Sequence, residues 1–136
     1  MPTRPVLAAF VAGLLVMLAG DALWLGVIAD AMYQRGIGHL MAERPGAVAA
    51  ALFYLLYAGG LVFFAIEPMQ PSDPWQAAGA GALLGLVAYG TYDLSNLATL
   101  RGWPAGLAAI DMAWGAAISA LAAGLGRIAA QRFGGP

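Results

Sequence analysis

Residues 6–28 read VLAAFVAGLLVMLAGDALWLGVI and carry a single charge, Asp21. A helix of about 20 such residues, rising 1.5 Å per residue, crosses the roughly 30 Å hydrocarbon core of a bilayer. The same pattern recurs three times. Residues 46–66 carry no charge, residues 75–98 enclose only Asp93, and residues 107–125 enclose only Asp111. Pro5, Pro45, Pro74 and Pro104 stand at the four entrances. Proline suits the first turn of a helix, where its missing N–H has no helical partner to lose. Glu67-Pro68 closes the second span.

Composition agrees with the spans. Of 136 residues, 62% are hydrophobic and 10% charged, and there is no Lys. A soluble domain carries roughly 25% charged residues, so these few charges cannot wet the surface of one. The length fits one domain. A net charge of −1 with scattered Arg excludes electrostatic nucleic-acid binding. Zero Cys excludes disulfides, thiol catalysis and Cys-ligated metals. Arg4 followed by an apolar run resembles a signal peptide. The run continues past Asp21 without a small-x-small cleavage site, so the first span reads as retained.

The expected fold is therefore all-α, a polytopic membrane protein of four helices in an up-down-up-down bundle, because short connections make neighbours antiparallel. The longest connection, DAMYQRGIGHLMAER (residues 30–44), places Tyr33, Ile37, Leu40 and Met41 on one face and predicts an interfacial segment. An even number of spans puts both termini on one side. Arg4, Arg127 and Arg132 lie at that end, against Arg35, Arg44 and Arg101 at the other. The α-amino group and the Arg-bearing tail then place both termini in the cytoplasm. Gly81 and Gly85 form a GxxxG, read as tight packing within the bundle.

Carboxylates inside a membrane are the informative residues, since each costs at least about 2.5–3.5 kcal/mol at the bilayer centre. Counting from the span ends puts Asp21, Asp93 and Asp111 about 6–11 Å inside the same membrane face. Asp21 and Trp24 are spaced i, i+3, and so are Asp111 and Trp114. DALWLG and DMAWG thus repeat one device, an acid with an indole beside it. Tyr89, Tyr92, Asp93 and Asn96 share a face of the third span, and Tyr54 and Tyr57 enter from the second. Tyr and Trp donate hydrogen bonds to carboxylates while presenting apolar bodies. The predicted pocket is lined by Asp21, Trp24, Tyr54, Tyr57, Tyr89, Tyr92, Asp93, Asn96, Asp111 and Trp114, open toward the side bearing Arg35, His39, Arg44 and Arg101. Three close carboxylates cannot all be ionised in a low dielectric, so one holds a proton or a cation sits among them. If a metal binds, Asp21, Asp93 and Asp111 are its oxygen ligands. No cofactor is expected.

Bland readings stand beside these. Buried Asp also glues helices together. Trp24 and Trp103 also suit an interfacial belt, as does Trp75. His39 has no second ligand at i+3 or i+4. GxSxG, Walker, HExxH and GxGxxG signatures are absent.

YGTYDLSNLATL (residues 89–100), Trp103-Pro104 and DMAWG (residues 111–115), with DALWLG and Phe53-Tyr54-Leu55-Leu56-Tyr57, resemble an uncharacterised family of small bacterial inner-membrane proteins, a domain of unknown function. The resemblance covers nearly the whole chain. It implies a multi-pass inner-membrane protein of about four spans and no established activity. Three functions follow as expectations. The first is binding or translocation of a proton, a cation or a small amphipathic substrate, with a homodimer expected for so small a bundle. The second is a small intramembrane enzyme acting on a lipid or isoprenoid through an Asp general acid. The third is a structural subunit of a membrane complex.

Overall fold

A computed structural model describes residues 3–69 and 73–133. Most of them are helical, and the helix bounds follow the apolar runs. Helix α1 spans Thr3–Leu23 and passes into a π-helical turn, Trp24–Ile28. There the Ala29 N–H bonds to the Trp24 carbonyl at 2.7 Å, one residue further back than in an α-helix. Helix α2, Asp30–Ile37, follows and ends in a 3₁₀ turn, Gly38–Leu40. Helix α3 spans Ala47–Leu61 and also ends in a π turn, Val62–Ile66. Helix α4 spans Pro74–Thr99 and α5 spans Ala105–Phe133. Helix α5 runs eight residues beyond the apolar stretch read from the sequence, from 125 to 133. Among the described residues, three helical stretches are long and apolar enough to cross a membrane: Thr3–Ile28, Ala47–Ile66 and Ala105–Phe133. Glycines and a polar C-terminal half make α4 less apolar than these.

Helix starts follow local chemistry. Asp73 caps α4, accepting from the Gln76 N–H at 3.0 Å, with Pro74 in the first turn. Pro104 immediately precedes α5, and its carbonyl accepts from Ala108 at 3.0 Å. The tight turn between α4 and α5 contains Gly102 at φ 79°, a left-handed backbone that glycine adopts without steric penalty.

Small residues set how closely the helices approach. A Cβ built at Gly85 would lie 2.3 Å from the Gly115 carbonyl oxygen. One built at Gly81 would lie 2.6 Å from the Ser119 carbonyl oxygen, and one at Gly115 would lie 2.1 Å from the Tyr89 ring. The GxxxG of α4 is thus spent on α5, and the two helices run antiparallel with backbones nearly touching. Helix α5 also pairs antiparallel with α1: Gly13 meets Ala122, and Gly126 meets Ala9. Leu61, Ala65, Ile66 and Ala122 fill the centre of the core.

Arg127, one of the arginines at the terminal end, is only 6% exposed within α5. The 30–44 segment, expected to be interfacial, packs partly on the bundle. Tyr33 is buried with Ala29 and Leu107, and Gly36 abuts Pro104 and Leu107, so α2 lies across one end of the bundle.

Candidate functional site

The end covered by α2 holds a cavity of about 500 Å³. The turn after α1 supplies Trp24 and Leu25, and α1 itself supplies Asp21. Helix α2 supplies Tyr33 and Ile37, α3 Phe53 and Tyr54, α4 Ala88, Tyr89 and Tyr92, and α5 Asp111 and Trp114.

Its organising feature is a crossed pair. Helices α1 and α5 are antiparallel, so the i, i+3 acid and indole of one meet those of the other in reverse. Trp114 of α5 donates its Nε1–H to Asp21 of α1 at 2.9 Å. Trp24, from the α1 side, donates to the Tyr33 hydroxyl at 3.2 Å. Tyr33 in turn donates to Asp111 of α5. Each indole therefore serves the other helix's acid, directly in one half and through a phenol in the other. The two indoles stack, with ring centroids 4.6 Å apart and planes 3° apart. Tyr54 gives Asp21 a second hydrogen bond at 2.6 Å. Asp21 and Asp111 are both buried, and their donors among the described residues are neutral tyrosine and tryptophan groups. Tyr33, outside the long apolar helices, has its phenol ionisation pushed up by burial and then by the Asp111 hydrogen bond, so it remains a neutral donor.

The π turn makes this possible. An extra residue in the helix between Trp24 and Ala29 redirects the chain, so α2 folds back over the cavity and brings Tyr33 between Trp24 and Asp111.

Asp93 sits behind Asp111 rather than on the cavity wall. It is 1% exposed, and its carboxyl faces the Asp111 carboxyl and the Trp103 indole. Asp93 Oδ2 and Trp103 Nε1 are both buried without a well-formed hydrogen bond among the described residues. The three aspartates thus divide into Asp21 alone and an Asp93–Asp111 pair. Among the described residues no three acidic or His side chains converge as a metal site would require.

Of the predicted lining, Asp21, Trp24, Tyr54, Tyr89, Tyr92, Asp111 and Trp114 border the one cavity. Tyr57 lies just beneath it, hydrogen-bonded to Ser119 at 2.6 Å and edge-on to Tyr89 at 6.3 Å. Asn96 is not on the cavity wall; its carbonyl accepts from Leu100 at the end of α4. Sequence reasoning missed Tyr33, Phe53 and Trp103. Tyr33 and Ile37 had been placed on one face, but that face was assigned to the interface. Phe53 stacks on Tyr57 one turn later, at 5.6 Å, a spacing visible in the sequence. Trp103 packs edge-on against Tyr92 at 5.6 Å, and no spacing rule across the turn signals that contact.

The family model described as predicted membrane protein (DUF2177) matches residues 6–128. The chain belongs to this family. Its matched region holds both acid–indole pairs and every wall of the cavity. No curated protein and no solved structure matches the chain.

Proposed function

We propose that this member of the family is a four-span, up-down-up-down protein of the bacterial inner membrane whose aromatic cavity binds a small amphipathic molecule through a cationic group. In this reading α4 is a full crossing despite its lower hydropathy. Its protein-facing side is Ala77, Gly81, Gly85, Gly90 and Asp93, while Leu83, Leu86, Val87 and Leu94 face outward, as lipid contact requires. The hydroxyls of Thr91 and Thr99 donate back to carbonyls of their own helix, at 2.6 and 2.8 Å, so they present no unpaired group to lipid. The start of α1 and the end of α5, which bear Arg4 and Arg132, lie on the cytoplasmic side.

The observation that carries the ligand class is the crossed pair. Two carboxylates held by neutral donors stand in a wall otherwise built of indole, phenol and aliphatic surface. Aromatic faces beside carboxylates favour a cation that has shed its water, and apolar walls favour a hydrocarbon body. Asp93, facing Asp111, places a second carboxyl behind the one that meets the cation.

The test is a titration of the reconstituted protein with dodecylamine and with dodecanol, followed by tryptophan fluorescence. The amine is expected to give a saturable change that Asp21→Asn and Asp111→Asn each remove, with the alcohol binding at least about tenfold more weakly, or about 1.4 kcal/mol. Equal binding of amine and alcohol, or full binding by both variants, contradicts the reading.

A further inference from the structure

The way the walls of this cavity meet points to where its ligand comes from. Helix α2 roofs the α5 side of the water-facing end. Helix α2 is held down on α5 by Tyr33, bonded to Asp111, and by Gly36, against Pro104 and Leu107. At the opposite end the cavity is floored. Tyr57 and Tyr89 meet edge-on, and α4 packs against the π turn Val62–Ile66. Between roof and floor the side wall is incomplete. Helix α4 engages that turn closely but has no comparable packing along α3 itself, so the two helices join at one end and part toward the cavity. The residues at the parting are Phe53 on α3 and Tyr92 on α4. Both line the cavity and both are substantially exposed, at 42% and 51%. On the α3 side the outward neighbours Leu52 and Leu56 are apolar and more exposed still. The rim on α3 is thus hydrocarbon and aromatic ring, and the rim on α4 is the Tyr92 phenol.

We infer that the cavity opens sideways into the bilayer between α3 and α4, and that its ligand is a membrane-dissolved single-chain alkylamine whose tail stays in lipid while its ammonium group reaches the carboxylates. This deepens the amine-binding reading above and rests on it. The stacked indoles and Tyr54 then flank the head group, and Phe53 and Tyr92 flank the first carbons of the tail. Nothing in this route requires α2 to lift.

The chain has no Cys, so single labels are unambiguous. Phe53→Cys and, separately, Tyr92→Cys are labelled with a nitroxide in phosphatidylcholine vesicles. A label at Glu43, a charged and exposed position in the connection beyond α2, serves as the water-side reference. Accessibility to oxygen, which partitions into lipid, is compared with accessibility to a water-soluble nickel chelate. Both rim positions are expected to favour oxygen, the Glu43 label to favour nickel, and dodecylamine to lower oxygen accessibility at both rim positions. Rim labels that favour nickel as Glu43 does, with dodecylamine still binding, overturn the lateral route and leave the pocket reading intact. Rim labels in lipid that dodecylamine does not move overturn the amine-binding reading and the ligand class proposed here with it. Using two rim variants keeps the outcome readable if one fails to insert.

Discussion

At the scale of single residues, Tyr33 joins two otherwise separate halves. It accepts from Trp24 and donates to Asp111, so Tyr33→Phe removes both bonds while keeping the ring. The variant is expected to lose about 1–3 kcal/mol, since a buried indole N–H and a carboxylate each lose a partner. Equilibrium unfolding in detergent measures this. A double-mutant cycle with Trp24→Phe should show the two changes to be less than additive. Asp21 is served differently, by Tyr54 and Trp114 together, so Tyr54→Phe leaves it one donor and is expected to be milder than Tyr33→Phe. The acids and their indoles were legible in the sequence because i, i+3 spacing on a long helix leaves little freedom. Tyr33 was not, because its role depends on where a short connection folds, and no periodicity encodes that.

At the scale of elements, two local devices position the site. The first is the π turn after α1. Deleting Val27, which is exposed, should convert the turn to ordinary α-helix and rotate everything after it by about 100°. Tyr33 would then leave the gap between Trp24 and Asp111. The expected readouts are a blue or red shift in tryptophan emission and a destabilisation at least as large as that of Tyr33→Phe. Unchanged emission and stability would show that α2 is placed by its contacts with α5 rather than by the turn. The π turn itself was invisible in the sequence, since an apolar run reads the same whether its bonds skip four residues or five. The second device is the glycine register of α4 on α5. Gly85→Ala forces a methyl against the Gly115 carbonyl and is expected to destabilise by about 1–3 kcal/mol. Gly79→Ala meets nothing among the described residues within 4 Å. It is expected to be neutral or to gain up to about 1 kcal/mol from helix propensity. Unfolding midpoints of the two variants, side by side, check the pair. Here the sequence was informative in kind: a GxxxG predicted close packing, and the structure supplies the partner.

At the scale of the whole molecule, the scarcity of charge named the solvent, and the exceptions marked the site. The four long apolar runs fell where the helices are, because about 20 consecutive apolar residues leave few alternatives in a chain this short. What the sequence could not supply was the arrangement of helices around the acids. Counting along the spans put three aspartates at one depth, and packing adds that Asp93 faces Asp111 while Asp21 is held by Tyr54 and Trp114. The four-crossing topology predicts that reporter fusions after Asp73 and after Gly102 fall on opposite sides of the membrane; the same side for both would remove α4 as a crossing. The crossed acid–indole pair as a binding site for an amphipathic amine is tested most directly by native mass spectrometry of the detergent-solubilised protein with dodecylamine. The predicted result is one saturable amine per chain, lost in the Asp21→Asn/Asp111→Asn double variant while its helical circular-dichroism signal is retained. An amine adduct undiminished in that variant, or none on the parent chain, would contradict the account.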